Sequence, residues 1–235
     1  MNTFHQQILS MIDQVATEYS KEALSYVGSP RPYYNINVPS QRNIAREFLK
    51  THPDLTQKEF ETLLTSLYNG KTFTERTMPG FLLQYDNDHR HALDPQILNS
   101  WIGQLTGWCE IDTTCQAAFS AEDMLHNWNA WKKLLTQFSK SNDISKRRAS
   151  IVLLNKVVQN SPDHRCADVA FVNVDRLKHE NDILITKAVS WILRSLIAHH
   201  RTRVKKYLTD NKDALPKIAL RETQNKLKTG TKKPK

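Results

Sequence analysis

Apolar residues recur every three to four positions along most of the chain, which is the period of a helix that buries one face. The first such stretch begins at Thr3, which we expect to cap it, and runs to about Leu24. The proline-rich residues 28–34 form a connector, and residues 73–85 are less regular. Later helices are predicted to start at capping residues or prolines, namely Pro39, Thr56, Asp94, Thr106, Ser120, Asp143, Ser161, Asp182 and Pro216. The helix from Asp182 is predicted to end at His199 and the last helix near Leu227.

Convincing strand alternation is missing from this pattern. The nearest candidate is Val169–Val174, and there we favour a helix. Glycine is scarce, at 6 of 235 residues, which favours helices joined by short turns. We therefore predict an all-α protein in which about ten helices pack in pairs, as in an α-solenoid. The expected organisation is one domain over residues 1–227 and a basic, flexible tail over residues 228–235.

Positive charge is concentrated in the last fifth of the chain. Residues 187–235 contain fourteen lysines and arginines against three acids, a net charge of +11, whereas the whole chain carries +9. Such an asymmetry indicates a polyanionic partner. A solvated tail explains the lysines at the very end of the chain. It does not explain Lys187, Arg194, Arg201 and Arg203, which alternate with apolar residues.

Other features of the composition narrow the class of protein. The three cysteines fit no metal-ligand spacing and indicate reduced thiols, and the histidines form no zinc pattern. No apolar run is long enough to cross a membrane, and the N-terminal residues do not resemble a signal peptide. We expect a cytoplasmic protein, associated with the nucleoid if the source is bacterial, with no metal, no cofactor and no membrane contact.

Trp108 and Asp112 are the residues on which the functional reading depends. In a helix that starts near Thr106, their spacing of four places them on one face. An indole face and a carboxylate side by side can hold a cationic group. The alternative is that Trp108 packs in the core and Asp112 is an ordinary surface acid.

Four separated motifs resemble those of one family, the AlkD-type alkylpurine DNA glycosylases. Residues 35–48 are similar to the family's early V-P-x-x-R-x-x-A-x-x-F helix, and Trp108-x-x-x-Asp112 follows. Residues 148–151 are similar to its R-x-A-I helix start, and residues 187–194 to its K-A-I-x-W-x-L-R signature. The four occur in the family's order, which is stronger evidence than any one of them.

The resemblance implies both a fold and a set of site residues. The fold would be a right-handed superhelix of HEAT-like repeats, related to armadillo repeats, with a concave DNA-binding groove. The catalytic carboxylate would be Asp112, flanked by the sugar-facing Trp108 and Trp191, and Arg148 would contact a phosphate. Further DNA contacts are predicted for Arg147, Lys187, Arg194, Gln41, Arg42, Arg201 and Arg203. The sequence departs from the family pattern at Cys109, Ser145, Ile183 and Leu184, positions that bear on substrate range and rate.

The predicted activity is hydrolysis of the N-glycosidic bond of positively charged N3- or N7-alkylated purines in duplex DNA, which leaves an abasic site. A Schiff-base lyase that uses Lys187 is an alternative, although a phosphate contact suits that lysine better. A non-catalytic protein that binds distorted or branched DNA is another alternative, and a helical-repeat scaffold for proteins is a third. We expect a monomer with no obligate protein partner.

Overall fold

The computed structural model describes residues 2–233, which form two compact units that divide between Ala118 and Phe119. Helices dominate both units, so the prediction of an all-α protein is confirmed. The single domain predicted over residues 1–227 and the handedness and groove of the superhelix stay predictions.

The first unit contains seven α-helices and one short hairpin among its described residues. Their bounds are α1 Thr3–Val15, β1 Tyr19–Ser20, β2 Tyr33–Tyr34, α2 Val38–Thr51, α3 Gln57–Tyr68, α4 Phe73–Tyr85, α5 Asn87–Ala92, α6 Leu98–Ile102 and α7 Gly107–Ala117. Two short 3₁₀ turns, Ser25–Val27 and Pro95–Ile97, complete it. Helix α4 packs against α2, α3 and α7 and so lies at the centre of this core.

The second unit is built from seven helices in its described part. Their bounds are α8 Ala121–His126, α9 Trp128–Ser139, α10 Ile144–Val152, α11 Asn155–Asn160, α12 His164–Leu177, α13 Ile183–Asp210 and α14 Lys217–Thr229. Helix α13 is the longest and packs against α10, α11, α12 and α14. It therefore holds the core of this unit together and presents its remaining face outward.

Several predicted helix ends are confirmed. Thr56 and Glu59 form a reciprocal capping box at the start of α3, and Ser120 and Asp123 form another at the start of α8. The side chains of Asp143 and Asp182 accept hydrogen bonds from the first turns of α10 and α13. Each cap satisfies backbone N–H groups that have no partner within their own helix.

The first helix is shorter than predicted. It is capped by Asn2, ends at Val15 rather than near Leu24, and is followed by β1, which pairs with β2. Tyr19 lies opposite Tyr34, with ring centroids 5.0 Å apart. The helical pattern breaks because this backbone finds its hydrogen-bond partners thirteen to eighteen residues later, in a strand that local periodicity does not reveal.

The segment over residues 73–85, expected to be less regular, is in fact helix α4. A capping box of Thr72 and Glu75 starts it, and Pro79 lies inside it. Nine of its thirteen residues are buried. We attribute the survival of a helix with an internal proline to this burial, since packing on neighbouring helices outweighs the local cost.

Five further boundaries differ from prediction. The helix after Ser120 is interrupted at Asn127, and the helix after Asp143 is interrupted between α10 and α11. Helix α12 starts at His164 behind an Asp163 cap. Helix α13 continues past the expected end at His199, with a non-helical residue, His200, at φ −124° and ψ 35°. Helix α14 includes residues 228 and 229, so the expected tail starts later, and residues 234–235 of it lie outside the described residues.

Candidate active site

Helix α7 carries the predicted catalytic pair, and its start is fixed by close backbone packing. Thr106 is the N-cap, as expected, and Gly107 is the first helical residue, with φ +76°. A Cβ atom at Gly107 would lie 2.5 Å from the carbonyl carbon and oxygen of Gly28 and from the carbonyl oxygen of Val27. Because no side chain fits there, the loop of residues 24–32 rests directly on the first turn of α7.

Trp108 is held by that loop. Its indole nitrogen donates a hydrogen bond of 2.8 Å to the carbonyl oxygen of Tyr26, and the two rings meet edge to face with centroids 5.6 Å apart. Trp108 is half-buried, whereas Tyr26 is 83% exposed. The two aromatic rings together form an exposed surface at the start of α7.

Asp112 lies one turn further along the same helix, as the spacing predicted. Its exposure is only 6%, so it is not the solvated surface acid of the alternative interpretation. Trp108 in turn is not a fully buried core residue. A carboxylate in a site of low polarity interacts more strongly with a nearby positive charge than one in water.

Cys109, between the two, is not a candidate nucleophile. Burial, together with the negative charges of Asp112 and Glu110, raises the pKa of its thiol to about 11, against a smaller opposing effect of a hydrogen bond with Thr113. The thiol is therefore protonated at neutral pH, and it is the thiolate that attacks electrophiles.

Glu110 belongs to the first turn of α7, and its side chain is completely buried, with an exposure of 0%. Its carboxylate accepts hydrogen bonds from the hydroxyl of Ser29 at 2.5 Å, the guanidinium of Arg31 at 3.0 and 3.1 Å, and the backbone N–H of Thr106 at 2.9 Å. Two of these donors belong to the loop of residues 24–32. The carboxylate thus connects the loop to the helix that carries Trp108 and Asp112.

The two candidates on α2 have different environments. Gln41 is buried, donates to the carbonyl of Ile36 at 3.2 Å and accepts from the hydroxyl of Thr77 at 3.1 Å. These contacts give it a role in packing α2 against α4. Arg42 is exposed, with its guanidinium 6.0 Å from the ring centroid of Phe81, and can contact an anion at the surface.

In the second unit, three candidates lie on or against the N-terminal part of α13. The guanidinium of Arg148, which is 4% exposed, donates to the carbonyl of Leu184 in the first turn of that helix. Lys187 is exposed and Trp191 is half-buried, and their spacing of four places them on one face. That this group and the Trp108–Asp112 pair of the first unit act on one DNA duplex stays a prediction.

The remaining arginine candidates make contacts within the second unit. Arg147 pairs with Glu180 at 2.8 Å and also donates to two backbone carbonyls. Arg194 lies 3.4 Å from Glu222, and burial lowers its pKa. Arg203 pairs with Asp168 at 2.5 Å and lies over the ring of Phe171, and exposed Arg201 donates to the carbonyl of Leu227 at 2.5 Å. The contacts of Arg147 give it a structural role, whereas Arg201 lies at the surface.

Sequence reasoning did not single out Tyr26 or Glu110. Tyr26 lies just after the predicted end of the first helix, and the fold of the chain between β1 and β2 brings it to Trp108. Glu110 looked like one of many helix acids, and its partners come from residues 29–31, about eighty positions away. The nearest signal was Gly28, since a glycine before two prolines indicates a constrained loop.

Within residues 2–233, no three histidine, cysteine or acidic side chains cluster as metal ligands. Within that part of the chain, too, no helix combines the length and the apolar character that a membrane span requires.

The comparisons with known proteins agree with the resemblance carried by the four motifs. The family model described as DNA alkylation repair enzyme matches residues 9–227. The chain belongs to this family. Membership of the family supports a role in DNA repair and, with it, DNA binding.

A solved structure extends the agreement to the fold. The chain is similar to a predicted DNA alkylation repair enzyme from Enterococcus faecalis, at 13% sequence identity and a TM-score of 0.67. The match covers 87% of this chain and 92% of that chain, and at this identity it shows the fold alone. No curated protein matches the chain significantly.

Proposed function

We propose that the protein is a monofunctional DNA glycosylase. Its reaction is hydrolysis of the N-glycosidic bond of positively charged N3- or N7-alkylated purines in duplex DNA, which leaves an abasic site for base excision repair. The observation that carries this proposal is the pair on α7: the carboxylate of Asp112, 6% exposed, lies one turn from half-buried Trp108, beside the exposed ring of Tyr26.

Hydrolysis suits such a pair because the positive charge of the alkylated base already weakens its glycosidic bond. The bond between C1′ and the purine nitrogen breaks, and both bonding electrons leave with the cationic base, which becomes neutral. The sugar passes through an oxocarbenium-like state, and the oxygen of a water molecule then bonds to C1′ as that water loses a proton. No general acid has to protonate the leaving base.

Asp112 has the electrostatic role in this proposal. Its negative charge stabilises the positive charge that develops at C1′ and orients the attacking water, and its low exposure increases the strength of this interaction. The faces of Trp108 and Trp191 stabilise the cationic base and sugar through cation–π contacts. Tyr26, at 83% exposure, adds a ring that can lie against the DNA beside Trp108.

Basic residues bind the phosphate backbone. Lys187 is exposed on the face of α13 that also carries Trp191, and Arg148 lies against the first turn of that helix. We assign both to phosphates, with Arg42, Arg194, Arg201 and Arg203 as further contacts along the duplex. Exposed Lys187 lies outside the apolar surroundings that activate a catalytic lysine, which favours the phosphate contact over a lyase.

Lesion charge provides the test of this function. Wild-type protein is incubated with duplexes that contain N7-methylguanine, N3-methyladenine or the neutral adduct ethenoadenine, and release of the free base is measured. We expect release from the two cationic lesions and none above background from the neutral one. Tight binding without release of any base would favour the second candidate, a non-catalytic protein for distorted or branched DNA.

The proposed function also implies the cofactor requirement, the oligomeric state and the location of the protein. A glycosylase of this kind needs no metal or cofactor, acts as a monomer and works in the cytoplasm, on the nucleoid if the source is bacterial. The sedimentation behaviour of the protein, alone and on duplex DNA, tests the monomer.

A further inference from the structure

The indole nitrogen of Trp108 is held by a backbone atom, while its ring also meets the side chain of Tyr26 edge to face. Its indole nitrogen donates to the Tyr26 carbonyl, so the direction of the ring depends on where the loop of residues 24–32 lies. That loop has only a 3₁₀ turn, Ser25–Val27, for regular structure. Something outside the turn must therefore fix its position on α7.

Two contacts with α7 hold the loop in place, and the backbone N–H of Phe73 at the start of α4 also donates to the carbonyl of Pro32 at 2.9 Å. The first is the glycine contact, in which a Cβ at Gly28 would lie 3.2 Å from the Cα of Gly107. The second is the buried carboxylate of Glu110, which accepts from Ser29 and Arg31 of the loop and from Thr106 of the helix start. Arg31 also donates to the carbonyl of Gln104 at 3.2 Å, which ties the loop to the turn before α7.

The place of Glu110 in the sequence makes this contact relevant to the chemistry. It lies two residues after Trp108 and two before Asp112, yet it is buried on the opposite side of the first turn. A fully buried carboxylate that accepts four hydrogen bonds is held in one geometry, because moving it would leave charged and polar groups without partners.

We propose that Glu110 is a positioning residue for Trp108. Its buried carboxylate holds Ser29 and Arg31 of the loop. The loop in turn positions the Tyr26 carbonyl, which sets the direction of the indole beside Asp112. It touches neither substrate nor reacting atoms. The inference rests on the proposed function only in that Trp108 is taken to contact the lesion.

The test uses the full-length protein and follows the Trp108 indole directly. The chain has five tryptophans, so ¹⁵N-tryptophan labelling gives five indole N–H resonances, and Trp108→Phe identifies the one that belongs to Trp108. In Glu110→Gln we expect this resonance to shift and its N–H to exchange with water at least about fivefold faster. Single-turnover release of 7-methylguanine should fall about tenfold, because a small misplacement of a contacting group is costly. Binding to undamaged duplex should stay within about twofold of wild type, because no phosphate contact is removed.

Glu75→Gln is the matched control. Glu75 is also a buried acid of the first unit, 3% exposed, and it accepts hydrogen bonds from His5 and Thr72 rather than from the loop. We expect this variant to lose stability while the Trp108 resonance and the release rate keep their wild-type values. An equal change at Trp108 in both variants would make the effect a general one and overturn the proposal.

The results for Glu110→Gln itself also decide whether Glu110 positions Trp108. A Trp108 resonance with wild-type position and exchange in Glu110→Gln overturns the proposal, and so does a wild-type release rate. If Glu110→Gln does not fold, Ser29→Ala takes its place, since it removes one loop hydrogen bond and keeps the Arg31–Glu110 pair. A changed Trp108 resonance in Ser29→Ala supports the proposal, and an unchanged one overturns it. If the wild type releases no base, the proposed function fails, while the resonance still decides the role of Glu110.

Discussion

The indole nitrogen of Trp108 donates its hydrogen bond to the backbone carbonyl of Tyr26, 82 residues earlier, while the side chain of Tyr26 points into solvent with 83% exposure. The two parts of Tyr26 therefore have separable roles. Its backbone carbonyl holds the indole nitrogen of Trp108, and its exposed ring, one edge contact with the Trp108 ring apart, is available to another molecule. A substitution of the side chain removes the second role and keeps the first.

Tyr26→Ala tests the exposed ring. We expect base release to fall about tenfold, because the contact of one aromatic ring with a base is worth about 1–3 kcal/mol. The melting temperature should change by no more than about 1 °C, since the side chain is largely exposed. Tyr19→Ala is the control, because Tyr19 packs on Tyr34 in the hairpin, and it should lower the melting temperature without changing release. Unchanged release in Tyr26→Ala would contradict a DNA contact by this ring.

The glycine contact predicts a difference between two glycines with nearly the same φ. Gly107 and Gly230 have φ values of +76° and +79°, but a Cβ at Gly107 would collide with the backbone of Val27 and Gly28, while one at Gly230 would have nothing within 4 Å. Gly230→Ala should cost about 1 kcal/mol of unfolding free energy, from backbone strain alone. Gly107→Ala should cost at least about 2 kcal/mol more, because overpacking is added to the strain. Urea denaturation measures the unfolding free energy of both variants. Equal losses would mean that the loop moves away from α7 at little cost, which contradicts the close packing.

Lys187→Ala tests the electrostatic part of DNA binding. The side chain is exposed, so stability should be unchanged, while the affinity for duplex falls and the slope of log affinity against log salt decreases by about 1. Lys206→Ala removes an equal charge from the same helix, but Lys206 is paired with Asp210 at 2.8 Å, and its salt slope should stay at the wild-type value. A salt slope that changes equally in both variants would point to a general effect of net charge.

The rate at which the Cys109 thiol reacts is predicted to depend on pH. Burial and the charges of Asp112 and Glu110 raise its pKa to about 11, so the thiol is mostly protonated below that pH and the reactive thiolate is only a small fraction there. At pH 8 we expect iodoacetamide to modify Cys109 about a hundredfold more slowly than free cysteine, by the smaller thiolate fraction. Mass spectrometry of the labelled peptide across pH 7–10 measures the rate. Rapid labelling below pH 9 would refute the raised pKa.

Local chemistry made much of the fold predictable. The capping pairs Thr56–Glu59 and Ser120–Asp123 and the cap at Asp182 act within a few residues, so the sequence shows them directly. Helix α4 was missed because Pro79 is unfavourable locally and only tertiary burial compensates for it. The β1–β2 hairpin was missed for a related reason, since its pairing joins residues that local periodicity does not connect.

The candidate site divides in the same way. The spacing of Trp108 and Asp112 predicted a common helix face, and α7 confirms it. The burial of Asp112, the loop contact of Trp108 and the network of Glu110 depend on residues 26–31, which reach α7 only in the folded chain. The pairing of Arg147 with Glu180 likewise joins positions that no sequence pattern relates.

The role of Asp112 is the central claim, and release of 7-methylguanine from duplex DNA under single-turnover conditions tests it most directly. Asp112→Asn keeps the size of the side chain and removes the charge. If the carboxylate stabilises the developing cation, release should fall by at least about a hundredfold, as on loss of one electrostatic contact in other active sites, while the wild-type affinity for duplex is retained. Release by Asp112→Asn at close to the wild-type rate would contradict the account.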